Sequence, residues 1–264
     1  SFFMCCVQMG GSLQGTELII TPTKKVTLFA GSNSNGECAT RVNRFYSPFD
    51  ITTDGTNLYV ADTLCHRIMQ IVIDNKTKTI LAGTGSVCDS GSSNCDNATG
   101  TSAGFNNPKG ITTDGINLYV AERNSQRIRQ IVISTGAVTT IAGSMTDLLG
   151  NLDDPTGTAA KFKNPSGITT DGTNLYVADT GNHLIRQIVI STGAVTTLAG
   201  TRTAVTGSPG SGDNDNGTAA QFYSPYGITT DGTNLYVADS YNHKIRMIGI
   251  DNRSVTTLAG TGTA

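Results

Sequence analysis

The chain contains no tryptophan and only three histidines. The first absence removes a favoured platform for stacking nucleic-acid bases, and the second leaves little material for a histidine-built metal centre. Charged residues are scarce, and the net charge of −2 gives no global field that would favour nucleic acid or an anionic membrane. No apolar run approaches the ~20 residues that a membrane-spanning helix requires, and no apolar periodicity near 3.6 persists long enough for a helix of any kind. There is no C-x-x-C among the six cysteines, which argues against a thiolate zinc site. A G-x-S-x-G elbow is missing too, and the one adjacent Cys-His pair, Cys65-His66, has no evident orienting group. The opening SFFMCCVQ is too short for a secretory signal and lacks its basic flank, although it is compatible with what cleavage of one would leave.

What the chain does contain is repetition. The stretch FKNPSGITTDGTNLYVADTGNHLIRQIVISTGAVTTLAG, from Phe162 to Gly200, recurs with small changes from Phe45, Phe105 and Phe222. The starts are 60, 57 and 60 residues apart. Self-similarity at a fixed period determines architecture before any single residue does. In the third repeat, strands are expected at Gly167–Thr170, Asn174–Ala178, Leu184–Ile190 and Val195–Ala199. Asp171-Gly172-Thr173 joins the first pair and Ser191–Ala194 the last, supplying the positive φ that tight hairpins need. Leu, Ile, Val, Tyr and Thr dominate the runs. Each repeat is therefore an antiparallel four-stranded sheet, and radial repetition of such sheets makes an all-β propeller.

Alternation of strand direction puts the DG and TG turns at one end of every blade. At the other end it gathers the DTGNH-type loop and the connections Thr84–Gly104, Ser144–Lys161 and Thr201–Gln221, which vary in length and sequence. Variable loops on a repeated scaffold are where recognition usually sits. A single domain over 1–264 is expected, with repeats at 45–83, 105–143, 162–200 and 222–260 and an incomplete blade at 1–31. Lys25–Gly31 matches a fourth strand, with Thr16–Thr21 and Phe2–Val7 as candidates for the third and second. Three closures stay open: a five-bladed ring, which is preferred; a fragment of a longer, typically six-bladed propeller; or a neighbouring chain supplying the missing strand.

The wording PSGITTDGTNLYVADTGNHLIRQI followed by VTTLAG resembles the NHL repeat, with Asn182-His183-Leu184 spelling the name. The G-T-A-A-x-F segments Gly157–Phe162 and Gly217–Phe222, placed before N-P or S-P, are similar to those of bacterial NHL-repeat proteins. The resemblance implies a propeller and leaves activity open, because function resides in sites grafted on the fold. Zinc-dependent amidating lyases of this family use histidines at other blade positions, which this chain does not offer. Some animal NHL domains bind RNA through a basic face. Here the variable loops are acidic or neutral, so nucleic acid is an unlikely partner.

His66, His183 and His243 share one repeat position, with Gln126 in the second repeat, and are expected to hydrogen-bond their own loops. Asp62, Glu122, Asp179 and Asp239 end the second strand of each repeat. They are read chiefly as caps on backbone N–H groups and only weakly as ligands for a metal on the central axis. The recurrent Arg129, Arg186 and Arg246 point to hydrogen bonding or ion pairing between blades. Loop acids Asp153, Asp154, Asp213 and Asp215, together with Tyr241, are candidates for a binding face. The D-N-D-N-G run makes calcium a minor option and otherwise no cofactor is expected, since the spacing misses the EF-hand pattern and no Glu follows. Cys88 with Cys95, and Cys38 with Cys65, are disulfide candidates that favour an oxidising compartment.

The leading expectation is a non-enzymatic, secreted or cell-surface scaffold that binds a protein or other macromolecule through its variable-loop face. The alternatives are a metal-dependent lyase or lactonase-like propeller enzyme, and a structural subunit that self-associates through an open blade edge.

Overall fold

The computed structural model describes residue 38 and residues 44–88, 95–144, 148–203 and 207–262. The incomplete blade expected over 1–31, and with it the five-bladed closure and its alternatives, lies outside the described residues. The four whole repeats each fold as a four-stranded antiparallel sheet in simple meander order. Blade one comprises β1 (Pro48–Thr53), β2 (Asn57–Asp62), β3 (Arg67–Val72) and β4 (Lys78–Ala82). Blade two comprises β5 (Pro108–Thr113), β6 (Asn117–Glu122), β7 (Arg127–Val132) and β8 (Val138–Ala142). Blade three is β9 (Pro165–Thr170), β10 (Asn174–Asp179), β11 (Leu184–Val189) and β12 (Val195–Ala199). Blade four is β13 (Pro225–Thr230), β14 (Asn234–Asp239), β15 (Lys244–Gly249) and β16 (Val255–Ala259).

The first strand of each blade starts earlier than its sequence pattern indicates. Pro165 pairs with Asp179 across a bulge, which draws the Asn164-Pro165 entry into the sheet. The DG hairpins close as expected. Asp54 Oδ1 accepts the backbone N–H groups of Thr56 and Asn57 at 2.8 and 2.7 Å, while Oδ2 accepts the Tyr59 hydroxyl at 2.8 Å. Gly55 takes the positive φ of 90°. The same bonds recur around Asp114, Asp171 and Asp231. A short 3-10 turn, not anticipated in the repeats, follows the second strand at Thr63–Cys65, Thr180–Asn182 and Ser240–Asn242.

The core lies between blades rather than within them. Tyr119, Ala121 and Ile128 on the back of blade two pack against Phe162, Ile168, Leu175, Val177 and Ile188 on the front of blade three. Corresponding sets fill the spaces between blades one and two and between blades three and four. The innermost strands β1, β5, β9 and β13 are neighbours in that order. The rings of Phe49 on β1 and Tyr226 on β13 lie 5.6 Å apart, which brings the first and last of them to a common centre. Glycine makes this convergence possible: a Cβ on Gly167 would fall inside contact distance of the Tyr226 carbonyl oxygen. Among the described residues no helix is long and apolar enough to cross a membrane.

Candidate interaction face

The end of each blade opposite the DG turns is built by three segments: the F-x-N/S-P entry, the turn after the second strand, and the connection that leaves the fourth. The recurrent carboxylate ties them together. Asp179 is fully buried; its Oδ1 accepts the Lys163 N–H at 2.8 Å, and its Oδ2 accepts Arg186 Nη1 and Asn182 Nδ2, each at 2.8 Å. Burial pushes its carboxyl upward, opposed by Arg186, Asn182 and the Lys163 amide. Asp239 and Glu122 occupy the same place, with Arg246 and Arg129 as their partners. Blade one has Met69 where those arginines stand, and Arg67 Nε reaches Asp62 Oδ2 at 2.9 Å from two residues earlier. The pairing expected between blades thus runs within each blade and to its incoming connection. Among the described residues, no group of three His, Cys, Asp or Glu side chains could hold a metal ion.

The arginines make a second ion pair on the connection. Arg186 Nη2 meets Asp153 Oδ1 at 2.6 Å and Arg246 Nη2 meets Asp213 Oδ1 at 2.7 Å. Asp153 also bonds Thr197 and Arg202, and Asp213 bonds Thr257. Desolvation works against it, but Thr257 and Arg246 hold the Asp213 carboxyl below its ordinary range. Each guanidinium also stacks on the blade's entering phenylalanine, at 5.1 Å on Phe105, 4.9 Å on Phe162 and 4.8 Å on Phe222. Asp96 plays the same role towards Arg129 at 2.7 Å, and reading the sequence missed it. The signal was present: Asp96, Asp153 and Asp213 each precede their arginine by 33 residues.

The four loop acids do not gather on the variable end. Past Leu152 the connection turns back along the outer strand of the next blade, where Asp154 bridges Val195 and Asn214 bridges Val255. Asp154 there caps its own turn through Thr156 N–H at 2.8 Å, and Asp215 is exposed beside Asn214 on the same outer edge. Tyr241 does stand on the variable end and is 66% exposed.

The histidines reach further than expected. His66 Nδ1 accepts the Asn107 N–H of the next blade at 3.1 Å, and His183 Nδ1 accepts that of Ser224 at 3.0 Å. Gln126 Oε1 does the same for Asn164. These are links between blades, not bonds within one loop. They hold Asn107, Asn164 and Ser224 at φ values of 60°, 50° and 51°. Cys65 stands where Asn182 and Asn242 donate to the preceding connection, at Gly150 O and Gly210 O, each 2.6 Å away. Here a close cysteine pair takes that place: Cys65 stands against Cys38, with Cα atoms 5.1 Å apart. Cys88 and Cys95 form a second close pair, with Cα atoms 5.7 Å apart.

With the polar framework accounted for, the side chains that face solvent at this end differ from blade to blade. Blades one and four carry Tyr46 with Leu64 and Tyr223 with Tyr241, all exposed. The Tyr223 ring lies 5.1 Å from Tyr241 and 5.4 Å edge-on from His183. Blades two and three carry Asn106 with Asn124 and Lys163 with Gly181 at the same places. Val87, Leu148, Leu149 and Leu152 are exposed in the connections leaving this end, whereas Ile116 alone among the described large apolar residues is exposed at the DG-turn end.

Radially repeated four-stranded sheets, buried back to front around converging inner strands, define a β-propeller. The crystal structure of the nidogen/laminin complex superposes with a TM-score of 0.53 at 19% identity, over 81% of this chain and 63% of that one. No family model matches the sequence. NHL repeat-containing protein 2 of Homo sapiens is 30% identical over 261 residues, and SUPPRESSOR OF QUENCHING 1, chloroplastic, of Arabidopsis thaliana is 32% identical over 221 residues. Those matches cover 86% and 78% of this chain, which spans 34% and 20% of the two relatives' own length. The chain belongs to the NHL-repeat β-propeller family. That family's architecture supports a protein-binding, scaffold-like role in general.

Proposed function

We propose that the chain is a non-enzymatic scaffold, secreted or at the cell surface, that binds a protein through its variable-loop face. The observation that carries this reading is the unequal exposure of apolar side chains at the two ends of the blades. Tyr46, Leu64, Tyr223 and Tyr241 are presented at one end, against Ile116 alone at the other among the described residues. Exposed aromatic side chains on a rigid frame are the usual anchors of protein interfaces. The two cysteine pairs support an oxidising compartment. Affinity capture from the native source with wild type, a Tyr223→Ser/Tyr241→Ser variant and an Ile116→Ser variant tests the reading. A protein retained by wild type and Ile116→Ser but lost on the double variant is expected. Loss on Ile116→Ser alone would contradict it.

A second reading, assembly of copies through an open blade, is favoured by one observation. Ile245 and Leu258 on the back of blade four are 40% and 58% exposed, whereas their equivalents Ile185 and Leu198 in blade three are 0% and 1% exposed. Light scattering over a concentration series should show association that Ile245→Lys abolishes. A monodisperse monomer throughout would dismiss it.

A further inference from the structure

The second residues of three innermost strands, Phe49, Lys109 and Tyr226, meet at the variable end, whereas the fourth, Ser166, is buried against Thr180. Phe49 and Tyr226 meet ring to ring, and Lys109 Nζ lies 3.8 Å from the centroid of Phe49. The ammonium is half-buried, and among the described residues none of its three donors meets an acceptor and no carboxylate pairs with it.

Its charged neighbour has the same sign. Arg123 occupies the place where Thr63 and Thr180 donate to the next blade's proline carbonyl, at 2.7 Å on Pro108 and 2.6 Å on Pro225. Arg123 makes no such bond and no ion pair among the described residues, so blade two gives up a link between blades to present a guanidinium. Burial, then the charge of Arg123, lowers the pKa of Lys109. The loop-end carboxylates Asp62, Glu122, Asp179 and Asp239 are buried and already paired with arginines, and Asp50, next to Phe49, is engaged by backbone, its Oδ2 accepting the Ile111 N–H and its Oδ1 the Ile51 N–H, each at 2.9 Å. Two unpaired cations held together beside two aromatic rings are costly alone and favourable around an anion.

We propose that the centre of the variable end is a carboxylate site, in which Lys109 and Arg123 receive an Asp or Glu side chain carried on a protein partner. This rests on the protein-binding reading given above. The chemistry of the partner segment follows from the two halves of the face. Blade two offers the cations, so the carboxylate lies there, while blades one and four offer Phe49, Tyr226, Tyr223 and Tyr241 to an aliphatic or aromatic flank of the same segment.

Panning a library of random linear peptides against the wild-type protein tests this. Enriched peptides are expected to carry Asp or Glu beside an apolar residue. A synthetic enriched peptide should bind Lys109→Gln and Arg123→Gln about tenfold more weakly, with Lys109→Arg largely retaining affinity and all variants melting like wild type. Enriched peptides without acidic bias, or indifferent to Lys109→Gln, would overturn the carboxylate site. If such peptides still require Tyr223 and Tyr241, the interaction face stands without it; if no peptide is enriched, both fall. Succinate alone binding as tightly as the peptide would assign the site to a free dicarboxylate and overturn the protein-borne source.

Discussion

At the scale of single residues, buried charge organises the loop end of every blade. A carboxylate and a guanidinium are removed from water together, and the guanidinium makes further hydrogen bonds to the incoming connection, as Arg186 does to the Lys161 and Leu152 carbonyls. Breaking such a pair leaves one charge uncompensated, at a cost of about 3–5 kcal/mol. Arg186→Met should therefore destabilise the protein by about that amount in denaturant unfolding. Blade one already holds the compensating arrangement, with Arg67 and Met69 where blade three has Leu184 and Arg186. Arg67 serves both Asp62 Oδ2 and the Arg44 carbonyl, as Arg186 serves Asp179 and the Lys161 carbonyl. Adding Leu184→Arg to Arg186→Met should recover most of the loss. A double variant no more stable than the single one would mean that the second ion pair, on Asp153, dominates.

At the scale of the element, the joints between blades include a side-chain acceptor and a close backbone approach. His66 and His183 must stay neutral at Nδ1 to accept the next blade's N–H. Burial lowers both below the ordinary 6.5, with Glu122 and Asp62 pulling His66 back and Lys163 adding to the lowering of His183. A folded-state pKa below the unfolded value means that the unfolded chain takes up protons first. The stabilising contribution is complete above pH 6.5 and declines as the pH falls through that value and through the lowered folded pKa. His66→Gln/His183→Gln copies Gln126 of blade two, so its unfolding midpoint should change less between pH 7 and pH 5 than that of wild type, the difference being about 1 kcal/mol for each hydrogen bond that protonation breaks. Equal pH profiles would remove the imidazoles from the joint. The close approach has its own test. Gly167→Ala should cost about 1–3 kcal/mol through overpacking against Tyr226 O. Gly227→Ala, whose added methyl would meet only the Ala238 Cβ at 3.7 Å, should cost little.

These elements also show what the sequence makes legible. Period, turn residues and strand patterns are local properties, so the four blades and their hairpins could be read directly. The long-range ties could not, because they join residues 33 to 41 apart whose types are not diagnostic. His66 with Asn107 is one case, and Arg129 with Asp96 is another. The loop acids misled for a related reason. Their composition suggested a solvent-facing cluster, but two are spent on buried arginines and the connection carries the others to the outer edge. The aromatic and cationic halves of the loop face were equally hidden, since Phe49, Lys109 and Tyr226 are ordinary residues until the inner strands bring them together.

For the whole molecule, uniform blades make a rigid frame and the differences between blades accumulate at one end. The apolar residues of blades one and four and the cations Lys109 and Arg123 of blade two share that end, while the DG turns opposite are nearly invariant. Hydrogen–deuterium exchange on the protein with and without its captured partner tests this polarity most directly. Protection is expected around Tyr46, Leu64, Lys109, Tyr223 and Tyr241, with the turns at Asp54–Thr56, Asp114–Ile116, Asp171–Thr173 and Asp231–Thr233 unchanged. Protection confined to those turns would contradict it.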